Sequence, residues 1–422
     1  MKALARALAA RDEELRPLAW AAAYFFFLFA SYFVIRPVRD AMAVAGGVRN
    51  LPWLFSATLL ATLLVHPVHA AVVSRLPRRR FIPLVYEFFA LNLLAFLVLL
   101  ELTDGAGGVW AGRAFYVWTS VFNLFVVSVF WSYMADVFLP EQATRLFAVI
   151  AVGGTLGGVA GSSLASVLAE PLGPPRLLAV SFVLLQIAVL AAVRLGPAAQ
   201  AVDDEPVGGT AVDGAREILR SPYLLGICGY MLLYTITSTF LYFLKAQIVA
   251  DTVADAGART AFFARVDLAV NLLTASVQLF LTGRLLRWLG LAVGLAVLPV
   301  LTVAGFLVVG VTPTLLVVAA FEVVRRATNY AVSRPSREIL YTAVSRAEKY
   351  KAKHLIDTFV YRAGDQVGIW AAGLVTWLGY GIVGVTALAA PVAGVWAVLA
   401  VGLGFAHRRR VTAAEGKPAD NG

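Results

Sequence analysis

Cysteine is almost missing: Cys228 is the single one in 422 residues, which excludes an internal disulfide and a cysteine-built metal site. Histidine is scarce as well, four in all, and His66 and His69 stand beside a basic loop at what reads as a membrane interface, so no metal or cofactor is expected. Charge is thin, 14% of residues, where soluble chains carry about 25%. No glycine loop ending in GK[ST] occurs, so the chain has no phosphate-loop ATPase engine, and no catalytic triad stands out; an enzyme is not expected. Apolar residues fill the space left by these absences, 60% of the chain against about 45–50% in soluble proteins. The composition predicts an all-α, polytopic membrane protein.

Apolar runs predict twelve spans, near 18–45, 51–72, 81–101, 110–137, 146–169, 176–196, 222–249, 260–282, 289–309, 313–334, 354–378 and 380–405. About 20 residues cross a bilayer, so the longer runs imply tilt or extension beyond it. The Pro/Gly/Asp-rich stretch 197–219 separates six spans from six. The expected plan is a lead-in at 1–17, a six-helix bundle at 18–196, a linker at 197–219, a second bundle at 220–407 and a tail at 408–422. Basic residues gather in alternate loops: Arg75, Arg78, Arg79 and Arg80, then Arg216 and Arg220, then Arg284 and Arg287, then Arg337, Lys349 and Lys351, then Arg408 to Arg410. The opposite loops hold few, Arg49, Arg113, Arg176 and Arg259. The positive-inside rule then puts both termini in the cytoplasm, and the net charge of +10 needs no nucleic-acid partner. Residues 1–17 mix acid and base and do not read as a cleaved leader.

The two halves echo each other. Basic loops follow the second span of each, Ser74-Arg75-Leu76-Pro77-Arg78 and Gly283-Arg284-Leu285-Leu286-Arg287. Gly153 and Gly157 in span five answer Gly364 and Gly368 in span eleven. A parallel six-plus-six repeat resembles the major facilitator transporters, which implies a monomer in a bacterial inner membrane. The run Gly153 to Gly161 lies inside an apolar span and reads as close helix packing, not as nucleotide contact.

Charges inside the spans carry the functional reading. An arginine near the bilayer centre costs about 2.5 kcal/mol or more and faces water or a partner. Arg36, Arg39 and Asp40 close the first span. Lys245 sits late in the seventh. Glu322, Arg325, Arg326 and Asn329 share one helical face in the tenth, and Arg362 and Asp365 are three apart in the eleventh. Counted together, the six cations Arg36, Arg39, Lys245, Arg325, Arg326 and Arg362 face the three acids Asp40, Glu322 and Asp365. Such an excess attracts anions, and arginine forks suit phosphate and carboxylate. Arg36, Arg39, Lys245, Arg325, Arg326 and Asn329 are therefore the expected substrate contacts; Asp40, Glu322, Arg362 and Asp365 are the expected gating or proton-coupling groups. Two readings compete: Arg36 and Arg39 snorkelling to the interface, and an internal network of Asp40–Arg39, Glu322–Arg326 and Arg362–Asp365 that only holds helices together.

Four stretches resemble the ATP/ADP translocase (nucleotide transporter) family of bacteria and plastids. They are Tyr32 to Asp40, Val117 to Asp136, Phe243 to Gln247, and Ser336 to Gly368 with its Ser336-Arg337-Glu338, Glu348-Lys349-Tyr350-Lys351 and Arg362-Ala363-Gly364-Asp365 segments. The resemblance implies nucleotide transport, typically ATP for ADP plus phosphate. In the family, lysines and glutamates stand in the first, fourth, seventh and eleventh helices. Arg39 matches the first lysine, whereas Thr119 and Leu241 stand where acids are expected and Asp365 where a lysine is. Anion transport thus carries over further than strict ATP/ADP exchange. Proton-coupled transport of another organic anion and a non-transporting scaffold or lipid-handling role are the alternatives.

Overall fold

The computed structural model describes residues 11–75, 78–195, 218, 221–280, 282–344, 353 and 355–415. Most of the lead-in, nearly all of the linker 197–219 and the end of the tail lie outside the described residues. Every element described is helical, and ten helices are long and apolar enough to cross a membrane. The chain forms two compact units, Met1–Glu205 with Val249–Asn271, and Pro206–Ile248 with Leu272–Gly422.

The first unit holds α1 (Leu15–Ala45), α2 (Leu51–Arg75), α3 (Arg78–Leu102), α4 (Gly105–Val137), α5 (Pro140–Leu172) and α6 (Leu177–Leu195). Its centre is α1, which packs on α4, α5 and α6. At 31 residues α1 is roughly 46 Å long, beyond a ~30 Å hydrocarbon core. It is apolar on all sides because it is covered on most of them. Lipid gives helices no hydrophobic reason to associate, so close backbone packing and buried hydrogen bonds must do it. Both are present. A Cβ added at Gly153, Gly157 or Gly161 of α5 would strike the carbonyls of Ala22, Phe26 and Ala30 on α1, so the four-residue glycine spacing is a packing seam. Tyr24 donates to Tyr86 Oη at 2.6 Å, and Tyr86 donates to the Val126 carbonyl at 3.0 Å, tying α1, α3 and α4. Ser31 and Ser181 pair at 2.8 Å between α1 and α6.

The second unit contains most of α7 (Pro222–Thr252), the end of α8 (Ala256–Phe280), α9 (Thr282–Val311) and α10 (Leu315–Thr328). A π turn, Asn329–Ser333, leads into α11 (Arg334–Leu340); another, Ile356–Val360, leads into α12 (Tyr361–Trp377), and α13 (Gly381–Glu415) closes the unit. Here α12 lies on α7 through the matching seam: a Cβ at Gly364 or Gly368 would meet Thr235 and the Ile236 carbonyl. The expected spans 313–334 and 354–378 are absent from the ten long apolar helices because the π turns divide them and charge interrupts them.

Candidate functional site

In the first unit Pro37 stands inside α1 between the two arginines. It has no N–H to give the Phe33 carbonyl, so the ladder loosens where the charges are. Arg36 Nη1 lies 2.9 Å from Asp267 Oδ1, with side-chain exposures of 17% and 3%. Asp267 belongs to α8, whose first part packs with this unit; nearby Asn271 donates to Ser162 Oγ at 3.3 Å. Arg39 forks onto its neighbour Asp40 through Nε at 3.0 Å and Nη2 at 2.7 Å, over the Tyr116 ring at 5.3 Å. Both arginines have turned inward to carboxylates; snorkelling does not describe them.

In the second unit Glu322 is shared. Lys245 Nζ reaches its Oε1 at 3.0 Å and Arg326 Nη1 reaches the same oxygen at 3.5 Å. Lys245 and Glu322 are buried, and Arg326 is half-buried. Arg325 points elsewhere, into the bundle, and is met by neutral acceptors: Thr302 Oγ1 at 3.1 Å, Ser238 Oγ at 2.9 Å, Thr237 Oγ1 at 3.0 Å and the Tyr234 carbonyl at 3.3 Å. Its plane lies 5.5 Å over the Tyr234 ring. Asn329 is buried at the start of the π turn. Arg362 Nη1 stands 3.7 Å from Asp365 Oδ2, and Thr239 donates to Asp365 Oδ1 at 3.1 Å.

The three pairs expected within or next to one turn, Arg39–Asp40, Glu322–Arg326 and Arg362–Asp365, are all formed. Two further contacts were not expected. Asp267 supplies a fourth acid, 231 residues from Arg36. Its signal was an aspartate in an apolar span, four before Asn271, but nothing local names its partner. Lys245–Glu322 bridges 77 residues in the same way. The charge balance therefore differs between units. Among the residues named, Arg36 and Arg39 match Asp40 and Asp267 in the first; in the second, Lys245, Arg325, Arg326 and Arg362 exceed Glu322 and Asp365 by two.

Arg337, assigned from sequence to an inner loop, is instead buried on α11, with Nη1 2.8 Å from Met231 Sδ and Nη2 3.7 Å from Asp357 Oδ1. It belongs to a series four apart: Arg325, Asn329, Ser333, Arg337 and Tyr341, none more than 9% exposed. In a plain α-helix a four-residue step drifts by ~40°, so the series would wander by ~160° from end to end. The π turn absorbs about one residue and reduces this to ~60°. The wide turn thus keeps a buried polar stripe on one face. Thr119 and Leu241, which the resemblance sets where acids are expected, are fully buried, with Thr119 donating to its own helix at the Phe115 carbonyl.

The fold and the site together define an all-α, multi-pass membrane protein with a basic, ion-paired interior, and the solved structures it resembles are transporters. No family model matches the chain. It is similar to ADP,ATP carrier protein 1 of Chlamydia muridarum, 23% identical over 82% of this chain and 79% of the relative, in keeping with the resemblance read from its motifs. Among solved structures it resembles a POT family peptide transporter (TM-score 0.65, 13% identity, 96% of this chain and 98% of the other). A mutant of the nucleoside transporter NupG gives a TM-score of 0.62 at 15% identity, covering 93% and 99%. A bacterial homologue of the lysosomal transporter Spinster gives 0.60 at 16%, covering 97% and 100%.

Proposed function

We propose that the chain is a secondary transporter of nucleotides, or of similarly phosphorylated anions, working by alternating access in a bacterial inner membrane with both termini cytoplasmic. One observation carries the reading: Lys245 and Arg326, from two different helices, converge on the same buried carboxylate oxygen, Glu322 Oε1. A phosphate oxygen suits the same pair of donors, and Glu322 then acts as a placeholder that substrate displaces. Asn329 lies one turn on from Arg326 and supplies a neutral hydrogen-bonding group. Arg325, held by four neutral acceptors, is a positioning residue that fixes α10 against α7 and α9. Arg36–Asp267, Arg39–Asp40 and Arg362–Asp365 are the pairs that change partners during the cycle. The similarity to an ADP,ATP carrier supports a nucleotide as the anion.

Counterflow tests this directly. Proteoliposomes loaded with ADP should take up labelled ATP, and Lys245→Gln or Arg326→Gln should lower the rate at least about tenfold, as expected when a charge-assisted contact is lost. Arg176→Gln, on the exposed Arg176–Glu101 pair, should not. No uptake of any nucleotide by the wild type rejects the nucleotide reading. A second reading, proton-coupled uptake of another organic anion, rests on Asp365, a buried carboxylate held by Thr239 and 3.7 Å from Arg362. Uptake that needs an acidic exterior, needs no internal counter-substrate and is lost in Asp365→Asn would favour it.

A further inference from the structure

The first unit carries a second basic feature that the transport reading does not use. A cavity of about 470 Å³ opens beside the starts of α2 and α4, lined by Asn50, Trp53, Leu54, Trp110, Arg113 and Val117 among others. Its volume is in the range of sites that hold a drug-sized ligand. The walls are apolar, and the two tryptophans are among the most exposed large side chains of the unit, at 66% and 67%. Tryptophans at the ends of membrane helices mark the interface between hydrocarbon and headgroups. One cation lines the groove. Arg113 Nη2 donates to the Gly46 carbonyl at 3.0 Å, the same oxygen that Asn50 Nδ2 reaches at 2.9 Å. Its guanidinium lies 4.6 Å over the Trp110 ring, and its Nε is buried with no hydrogen-bond partner. Arg49, exposed on the turn before α2, adds a second positive charge close by in sequence.

An apolar trough lined by one fixed, half-buried guanidinium matches a ligand that is apolar along its length and anionic at one end. We propose that this groove binds an anionic phospholipid, its phosphate at Arg113 and one acyl chain along Trp53, Leu54 and Val117. A free phosphate would leave the apolar walls uncovered, and a zwitterionic lipid would bring its own cation to the arginine. The site shares no residue with Lys245, Glu322 and Arg326, so its test does not depend on the transport reading.

The test uses the full-length protein, delipidated and returned to nanodiscs of phosphatidylcholine with or without phosphatidylglycerol, with retained lipid counted by native mass spectrometry. The wild type should retain phosphatidylglycerol over phosphatidylcholine by about fivefold, the preference one arginine gives at a membrane surface. Arg113→Gln should bring the two lipids to parity. Val117→Trp, which fills the trough and leaves the arginine in place, should lose both, and it answers the question if Arg113→Gln fails to fold. Equal retention of the two lipids by the wild type, an unchanged preference in Arg113→Gln, full retention in Val117→Trp, or displacement of the lipid by inorganic phosphate alone would each overturn the proposal.

Discussion

Glu322 is the residue on which most depends, because the buried Lys245 and the half-buried Arg326 both lean on it. Removing one member of a buried ion pair typically costs about 3–5 kcal/mol, most of it the penalty of stranding the other charge. Glu322→Gln should therefore lower thermal stability without ligand, and addition of ADP should recover more of it than in the wild type, because the placeholder is gone. Equal ADP shifts in the two proteins would separate Glu322 from substrate binding. At the opposite extreme of the residue scale, Glu14 precedes α1 and is outside the spans. Burial pushes its carboxyl up, but hydrogen bonds from the Arg11 backbone, Gln142 and Arg145 more than offset this and hold it below its ordinary 4.5. A lowered carboxyl stabilises the fold fully above that ordinary value and loses its contribution as the pH falls through the folded one. The stability gap between wild type and Glu14→Gln should thus be constant near neutrality and close below about pH 4.5; a gap that survives at lower pH would contradict the assignment.

Among the elements, the glycine seams decide how near α5 can come to α1 and α12 to α7. Gly157→Leu puts a side chain into the Phe26 backbone, and overpacking of this kind costs about 1–3 kcal/mol. Gly394 in α13 has nothing within 4 Å of its Cβ position, so Gly394→Ala should be neutral or stabilising by up to about 1 kcal/mol. Thermal unfolding in detergent would rank the two; the reverse order would refute the seam. The π turn at Asn329–Ser333 makes a different claim. If it carries one surplus residue, deleting Ala331 should convert it to α-helix and leave Arg337 and Tyr341 facing as before. The deletion should be tolerated far better than removal of Val318 from the regular part of α10, which would swing everything beyond it by ~100°. Expression and monodispersity of the two deletions compare them.

For the molecule as a whole, most of the helices could be read from apolar runs, because lipid demands unbroken hydrocarbon and leaves little else to choose. What escaped this reading is that two of the expected spans, 313–334 and 354–378, are broken by π turns at Asn329–Ser333 and Ile356–Val360. Ion pairs divide by distance along the chain. Arg39–Asp40, Glu322–Arg326 and Arg362–Asp365 were legible because neighbours on one helix must meet. Arg36–Asp267 and Lys245–Glu322 were not, because only the packing of separate helices brings them together. Arg337 was placed in a loop because a basic residue after a span looks like a flank until its exposure is known. The segment Val249–Asn271 has a consequence of its own. It is encoded beyond the linker but is counted with the first unit, where Asp267 answers Arg36. Severing the gene at the linker would yield a leading fragment robbed of a counter-charge and a trailing fragment with an unhoused hairpin. Neither should accumulate when expressed alone, whereas co-expression should rescue both, and Asp267→Asn in the trailing fragment should weaken that complementation.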